Sequence, residues 1–110
     1  MSNIDYLKRN LTSILECLST HPGDARKRLI GASLLFIKLQ ENDFPEECKP
    51  QWRMLMVKLK KRGPLTGPNG VISKGAIENT MRHCQNKTAS EICKIFFEVY
   101  WKVLKINSET

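Results

Sequence analysis

The stretch from Thr88 to Ile106, TASEICKIFFEVYWKVLKI, decides the fold class of this chain. Its apolar residues recur at steps of three and four, which is the period of an α-helix. The opening Thr-Ala-Ser-Glu matches a capping box, so we expect the helix to begin at Thr88. It has two apolar faces, and such a helix either packs on both or leaves one for a partner. The first face comprises Ile92, Ile95, Phe96, Val99, Val103 and Ile106, and the second comprises Cys93, Phe97, Tyr100, Trp101 and Leu104.

Two further helices are predicted at the start of the chain. Residues 3 to 19 carry a single apolar stripe, and His21-Pro22-Gly23 ends that helix. Asp24 then caps a second helix that reaches about Leu39. After Arg28 this helix is apolar on almost every side, which is typical of a helix in the middle of a bundle. The stripe of the first helix comprises Ile4, Leu7, Leu11, Ile14 and Leu18.

The centre of the chain predicts two more helices. Asp43 resembles the cap of a short turn, which precedes a helix from about Pro50 to Arg62. The next helix is short and takes Ser73 as its N-cap. We find no sustained alternation of the kind that marks a β-strand. The prediction is therefore all-α: a compact bundle of four to five helices with one long Gly/Pro-rich loop, in a single helical domain over residues 1–110. The expected inner face of the 50–62 helix is Trp52, Leu55, Met56 and Leu59.

The composition favours a reduced cytoplasmic protein. A chain of 110 residues, 41% of them hydrophobic, suits one domain without disulfide staples. Four cysteines are present but lack the tight spacing of a disulfide framework, and Met1–Arg9 carries charges where a signal peptide would need an apolar run. The longest nearly apolar run, Leu29–Ile37, is far shorter than the roughly 20 residues that span a bilayer. We therefore expect no membrane partner.

No motif of catalysis or of cofactor binding is present in the sequence. Zinc sites use paired ligands such as Cys-x-x-Cys, and neither His21 nor His83 belongs to such a pair. Gly70–Gly75, GVISKG, departs from a phosphate-binding loop because its lysine precedes the last glycine and no strand leads into it. The acids lie mostly at predicted helix starts, where the helix dipole accounts for them. We expect a protein that is not an enzyme and that needs no cofactor or metal.

The charge pattern is the most informative functional signal. Residues 49–62 carry six positive charges and no acid, directly after the acidic segment 41–47 and directly before the loop Gly63–Gly70. The formal net charge is +7, which favours an acidic partner. Cations in a last helical turn also complement the helix macrodipole, so electrostatics at a helix end is an alternative explanation of the cluster.

The first functional hypothesis is protein binding. A loop on a rigid helical scaffold is a common place for recognition, and flanking cations would raise the association rate with an acidic protein surface. Trp52 is a frequent interface residue type, although core packing is the favoured explanation of this residue. The predicted partner-binding residues are Arg53, Lys58, Lys60, Lys61, Arg62 and Lys74.

The alternative hypothesis is nucleic-acid binding with low sequence specificity. Here Arg26, Lys27 and Arg28 would join the cations of residues 58–62 as phosphate contacts. A helix-turn-helix is excluded because the segment between the third and fourth predicted helices is too long and too rich in glycine and proline. Only basic charge then supports this hypothesis.

Five segments of the chain together resemble small uncharacterised helical proteins of bacteria, some of which are immunity partners of secreted toxins. They are Arg28–Ser33, Asp43–Glu47, Gly63–Gly70, Thr88–Ile92 and the last tyrosine, Tyr100. The resemblance covers about two-thirds of the chain and lies in helix starts and core positions, so no functional residue carries over. It implies a cytoplasmic inhibitor of a toxin. Inhibitors of nuclease toxins are usually acidic, and the charge of +7 departs from that pattern, so the toxin would present an acidic surface.

Overall fold

A computed structural model describes residues 4–106 and shows a mostly helical protein, which confirms the predicted class. These residues contain six α-helices, so the predicted count of four to five is not confirmed. They also contain a short β-hairpin, which was not predicted. The helices are α1 (Ile4–Thr20), α2 (Ala25–Gly31), α3 (Ser33–Lys38), α4 (Lys49–Leu59), α5 (Ala76–Arg82) and α6 (Asn86–Leu104), with a 3-10 turn at Glu41–Asp43; the strands are β1 (Leu65–Thr66) and β2 (Ile72–Lys74).

The amphipathic stripe of α1 packs where the sequence predicted it. Its buried residues are Leu7, Leu11, Ile14 and Leu18, and the helix contacts α2, α3 and α6. The predicted start at residue 3 lies outside the described residues. Because its apolar residues follow the helical period for four turns, this element is specified locally.

Aromatic rings form the centre of the core. Phe36 stacks on Trp52 with ring centroids 6.1 Å apart and meets Phe96 edge-on at 5.6 Å. Phe44 also stacks on Trp52, with ring centroids 4.4 Å apart. Trp52 is only 1% exposed, so core packing explains this residue. Rings at these separations add to the free energy gained from burial, and they fix the position of α4 against α3 and α6.

The second predicted helix is interrupted, which corrects the sequence prediction. The backbone leaves helical geometry at Ala32, with φ −91° and ψ 1°, so α2 ends at Gly31 and α3 begins at Ser33. The ring of His21 lies so close to Gly31 that a Cβ there would come within 2.4 Å of it. The expectation that this segment is buried on almost every side is also wrong, because Leu34 is 73% exposed.

Two predicted caps have other roles in the structure. Asp43 accepts the backbone N–H of Gln40 at 2.7 Å and so closes the 3-10 turn behind it. Ser73 lies in β2 and donates its hydroxyl to Leu65 O at 3.2 Å, while Gly75 is the N-cap of α5.

The predicted start of the last helix at Thr88 is wrong by one half-turn. The helix α6 begins earlier, at Asn86, and Gln85 is its N-cap, so Thr88 lies within the first turn. The Asn86 side chain accepts the backbone N–H of Ala25 at 3.1 Å, which ties α6 to the start of α2. The helix thus begins two residues before the local capping signature, at a residue that contacts a distant segment.

The predicted Gly/Pro loop folds into an antiparallel hairpin. Leu65 pairs with Lys74 and Thr66 with Ile72, with an irregularity between them. Gly70 adopts φ +75°, a left-handed conformation that glycine adopts without strain. Strands of two and three residues are too short to show a period of two in the sequence.

Two buried polar side chains of α5 bind the backbone of the turn that follows α4. The Arg62 backbone N–H donates to the Thr80 hydroxyl at 3.0 Å, and the Asn79 side chain donates to Gly63 O at 3.0 Å. Asn79 and Thr80 are both buried, so these bonds satisfy groups that would otherwise be desolvated at a cost. The basic end of α4 is thereby fixed in place.

No helix within residues 4–106 is long and apolar enough to cross a bilayer.

Candidate functional site

A groove of about 670 Å³ lies between α3, the 3-10 turn and α4. Its floor contains the buried residues Leu39 and Trp52. Ile37 and Val57 stand at its edges, 54% and 66% exposed. It is therefore an apolar depression that water covers in the isolated chain. The lining residues are Ile37, Leu39, Gln40, Glu41, Trp52, Arg53, Met56, Val57, Lys60 and Lys61.

The helical period of α4 places cations and apolar groups on the same wall. Trp52 and Leu55 face the core, as predicted for the inner face. Arg53, Val57 and Lys60 follow at steps of four and three, so they form an adjacent stripe that borders the groove. Arg53 stands at one end of this stripe and Lys60 at the other, with Val57 between them.

Arg53 forms an ion pair across the groove. Its Nε donates to Glu41 Oε1 at 2.8 Å and its Nη2 donates to Glu41 Oε2 at 2.7 Å. The guanidinium bonds hold the pKa of Glu41 below its ordinary value, and the carboxylate raises the pKa of Arg53. The Arg53 side chain remains 60% exposed. Since Glu41 offsets Arg53, the surplus positive charge of the rim lies at Lys60 and Lys61.

The structure brings half of the predicted partner-binding residues to this groove. Arg53, Lys60 and Lys61 line it, whereas Lys58, Arg62 and Lys74 lie among the described residues but not in its lining. Lys58 and Arg62 point to solvent near the end of α4, and Lys74 is half-buried in β2.

Sequence reasoning missed the apolar half of the site. Ile37 was assigned to a buried helix, and Val57 falls outside the predicted inner face of α4. A usable signal existed in the spacing of Arg53, Val57 and Lys60, which places an exposed apolar residue between two cations on one helical stripe.

The apolar surface continues beyond the groove. A second cavity of about 280 Å³ shares Ile37 and Lys60 with the groove and extends past Leu34 to Ala76 at the start of α5. The two depressions form one track along the same side of the molecule.

Two cations of the nucleic-acid hypothesis are bound within the protein. Arg26 pairs with Asp24 at 2.9 Å and donates to Cys84 O at 3.2 Å. The bond from Arg26 is the main cause that lowers the pKa of Asp24. Arg28 donates to Gly23 O at 3.0 Å and to Leu18 O at 3.3 Å. Both guanidinium groups therefore have local structural roles.

The cysteines do not form an evident reactive centre. Burial raises the pKa of the thiols of Cys48, Cys84 and Cys93, which lowers the fraction of thiolate, the nucleophilic form. His83, next to Cys84, has its Nδ1 2.7 Å from Asn79 O. Within residues 4–106 no three His, Cys, Asp or Glu side chains are grouped as metal ligands would be.

The second apolar face of α6 is largely exposed. Phe97, Trp101 and Leu104 lie on its solvent side, while Tyr100 is buried at the edge of the core. We expected this helix either to pack on both apolar faces or to leave one for a partner. The described residues do not pack against both faces.

The chain matches no protein-family model, no curated protein and no solved structure. Its function must therefore be inferred from the chemistry of its own surface.

Proposed function

We propose that this chain is a protein-binding module that receives an acidic partner in the groove between α3 and α4, and that it serves as an immunity or inhibitor protein. The observation that carries the proposal is one groove with an exposed apolar lining and a rim of surplus positive charge. An apolar patch rimmed by polar groups is characteristic of protein interaction sites.

The apolar lining supplies the affinity in this proposal. Ile37 and Val57 are more than half exposed, and covering each would remove apolar area from water. Full burial of such a side chain contributes roughly 1.5–3 kcal/mol. Met56 lies beside them and, being flexible, adapts its shape to an incoming surface.

The cationic rim supplies orientation and speed of association. Lys60 and Lys61 stand exposed at one end of the groove, and the chain carries a net charge of +7. Complementary charge steers encounter and excludes partners of the wrong sign. An acidic protein surface would therefore be preferred over a neutral or basic one.

An inhibitory role fits the rigidity of the site. The groove lies over the stacked rings of Phe44, Trp52 and Phe36, so its floor is packed. An immunity protein acts by occupying its toxin and needs no chemistry of its own. A preformed surface suits this task because little conformational entropy is lost on binding.

The groove favours a protein over a nucleic acid. A phosphate backbone has no apolar counterpart for Ile37 and Val57, and Arg26 and Arg28 are engaged within the protein. Binding to random duplex DNA is the matching test: six phosphate contacts would make affinity fall by roughly a thousandfold between about 50 and 200 mM salt. Such salt-dependent binding would contradict the protein-binding proposal.

The groove is tested with two matched substitutions. Val57→Asp places a carboxylate at the groove edge, and Val71→Asp does the same on the hairpin, where Val71 is 69% exposed. Each tagged protein is purified from the native host. We expect wild type and V71D to co-purify with a partner protein in stoichiometric amount, and V57D to lose that partner. Equal retention by both variants would exclude the groove as the site.

A further inference from the structure

We infer that the occupant of the groove is an amphipathic α-helix of the partner that carries two acidic residues two turns apart. This inference rests on the proposed function and narrows the partner's chemistry. It is drawn from the spacing of the charges on the rim of the groove and from the nature of its walls.

The spacing of the rim cations sets the spacing of the partner's acids. Lys60, the C-cap of α4, follows Arg53 by seven positions, which corresponds to about 10 Å along the helix axis. A helix that lies alongside α4 presents residues i and i+7 at the same separation. A carboxylate at one of these positions would meet Lys60, and a carboxylate at the other would meet the Arg53 guanidinium, which remains 60% exposed beside Glu41.

The apolar groups between the cations set the helix face. Val57 lies midway along the stripe, and Ile37 stands across the groove on α3. An incoming helix fills such a groove with apolar residues at i, i+3 or i+4, and i+7.

A helix fits these walls better than an extended segment does. No described residue of β1 or β2 lines the groove, so its walls offer no strand edge for an extended peptide to pair with. An extended segment would press unpaired N–H and C=O groups against Leu39, Trp52 and Val57. A helix satisfies its backbone internally and presents only side chains.

The two ends of the groove differ in their demand for negative charge. Glu41 already pairs with Arg53, whereas Lys60 and Lys61 form no ion pair within residues 4–106. The negative end of a helix macrodipole is its C-terminus. The occupant therefore places its C-terminal end, or its denser acids, at Lys60 and Lys61.

The probe that tests this inference is a displayed library of random peptides of about 16 residues, long enough for four helical turns. Selection is made on wild-type protein, with V57D as counter-selection and V71D as a matched variant that must still bind. We expect enriched peptides to carry apolar residues at helical spacing and Asp or Glu seven positions apart. Synthetic copies should gain helical circular dichroism on binding and bind Lys60→Glu at least tenfold more weakly.

Three outcomes would overturn the inference: enriched peptides with alternating apolar residues, enriched peptides that are basic, or no peptide that distinguishes wild type from V57D. Its failure is separable from that of the proposed function. If V57D loses the native partner but the selected peptides are not acidic helices, only the inference fails. If V57D retains the native partner, both fail.

Discussion

The backbone N–H of Arg62 donates to the hydroxyl of Thr80 at 3.0 Å, and this bond joins the basic end of α4 to the buried side of α5. Thr80 is only 5% exposed, so the hydroxyl that accepts this bond is shielded from water. The position of the cations at the end of α4 therefore depends on a buried hydroxyl that is distant in sequence.

Thr80→Val should destabilise the fold by about 0.5–1.5 kcal/mol, because the variant keeps the shape of the side chain but removes the hydroxyl that accepts the Arg62 N–H. The free energy of unfolding in urea measures the effect. The control is Thr88→Val on the exposed start of α6, where a change within about 0.5 kcal/mol is expected. Equal stability of T80V and wild type would show that the bond contributes nothing net.

The Arg53–Glu41 pair predicts a pH dependence of stability. The guanidinium lowers the pKa of Glu41 from its ordinary 4.5, so the folded state favours the ionised carboxylate. The contribution of this pair to folding stability is fully present above pH 4.5 and is lost as the pH falls through the lower folded pKa of Glu41. Glu41→Gln should therefore be less stable than wild type near pH 7, and the difference should shrink as the pH falls below 4.5 and through the folded pKa of Glu41.

Chemical denaturation at several pH values checks this convergence. The matched control is Glu98→Gln, because Glu98 is exposed on α6 and forms no ion pair within residues 4–106. Parallel stability curves for E41Q and wild type across this pH range would mean that the pair does not contribute to folding.

The long helices could be predicted because their signal is local. The stripe of α1 repeats over four turns, and both faces of α6 follow the same period. The break at Ala32 could not be predicted, because residues 29–39 are apolar whether the helix continues or not. The ring of His21 packs against Gly31 beside this break, and such a contact between separate segments is not visible in the local pattern.

The candidate site divides in the same way. Arg53, Lys60 and Lys61 were found because charge density is visible in a sequence. The apolar half was not found, because exposure of Ile37 depends on where α3 lies, and α3 is placed by the break that precedes it. The spacing of apolar residues reveals a helix, but it does not reveal which of those residues remain exposed in the fold.

Reversal of the rim charges should weaken partner binding mainly through the association rate. Lys60→Glu with Lys61→Glu removes the surplus charge of the groove and adds two acids, so we expect at least a tenfold slower association with the acidic partner at about 50 mM salt. Surface plasmon resonance with the captured partner measures the rate.

The matched control for this pair is Lys87→Glu with Lys94→Glu on α6, which changes the net charge equally at exposed positions away from the groove. If both double variants slow association alike, overall charge and not the groove steers the partner. If neither slows it, the basic end of α4 is outside the interface and only its role at the helix end remains.

Two glycines on either side of β2 allow the cost of backbone strain to be measured without a steric clash. A Cβ at Gly70 or at Gly75 would meet nothing within 4 Å, so both sites have room for alanine. Gly70, however, adopts φ +75°, whereas Gly75 adopts φ −67° and ψ 165°.

Gly70→Ala should therefore destabilise the fold by about 1–2 kcal/mol, the cost of a left-handed conformation for a residue with a Cβ. Gly75→Ala should change stability by no more than a few tenths of a kcal/mol, because the loss of a glycine N-cap is offset by lower entropy of the unfolded chain. Thermal unfolding compares them directly, and equal midpoints would mean that the hairpin turn melts before the core and does not contribute to its stability.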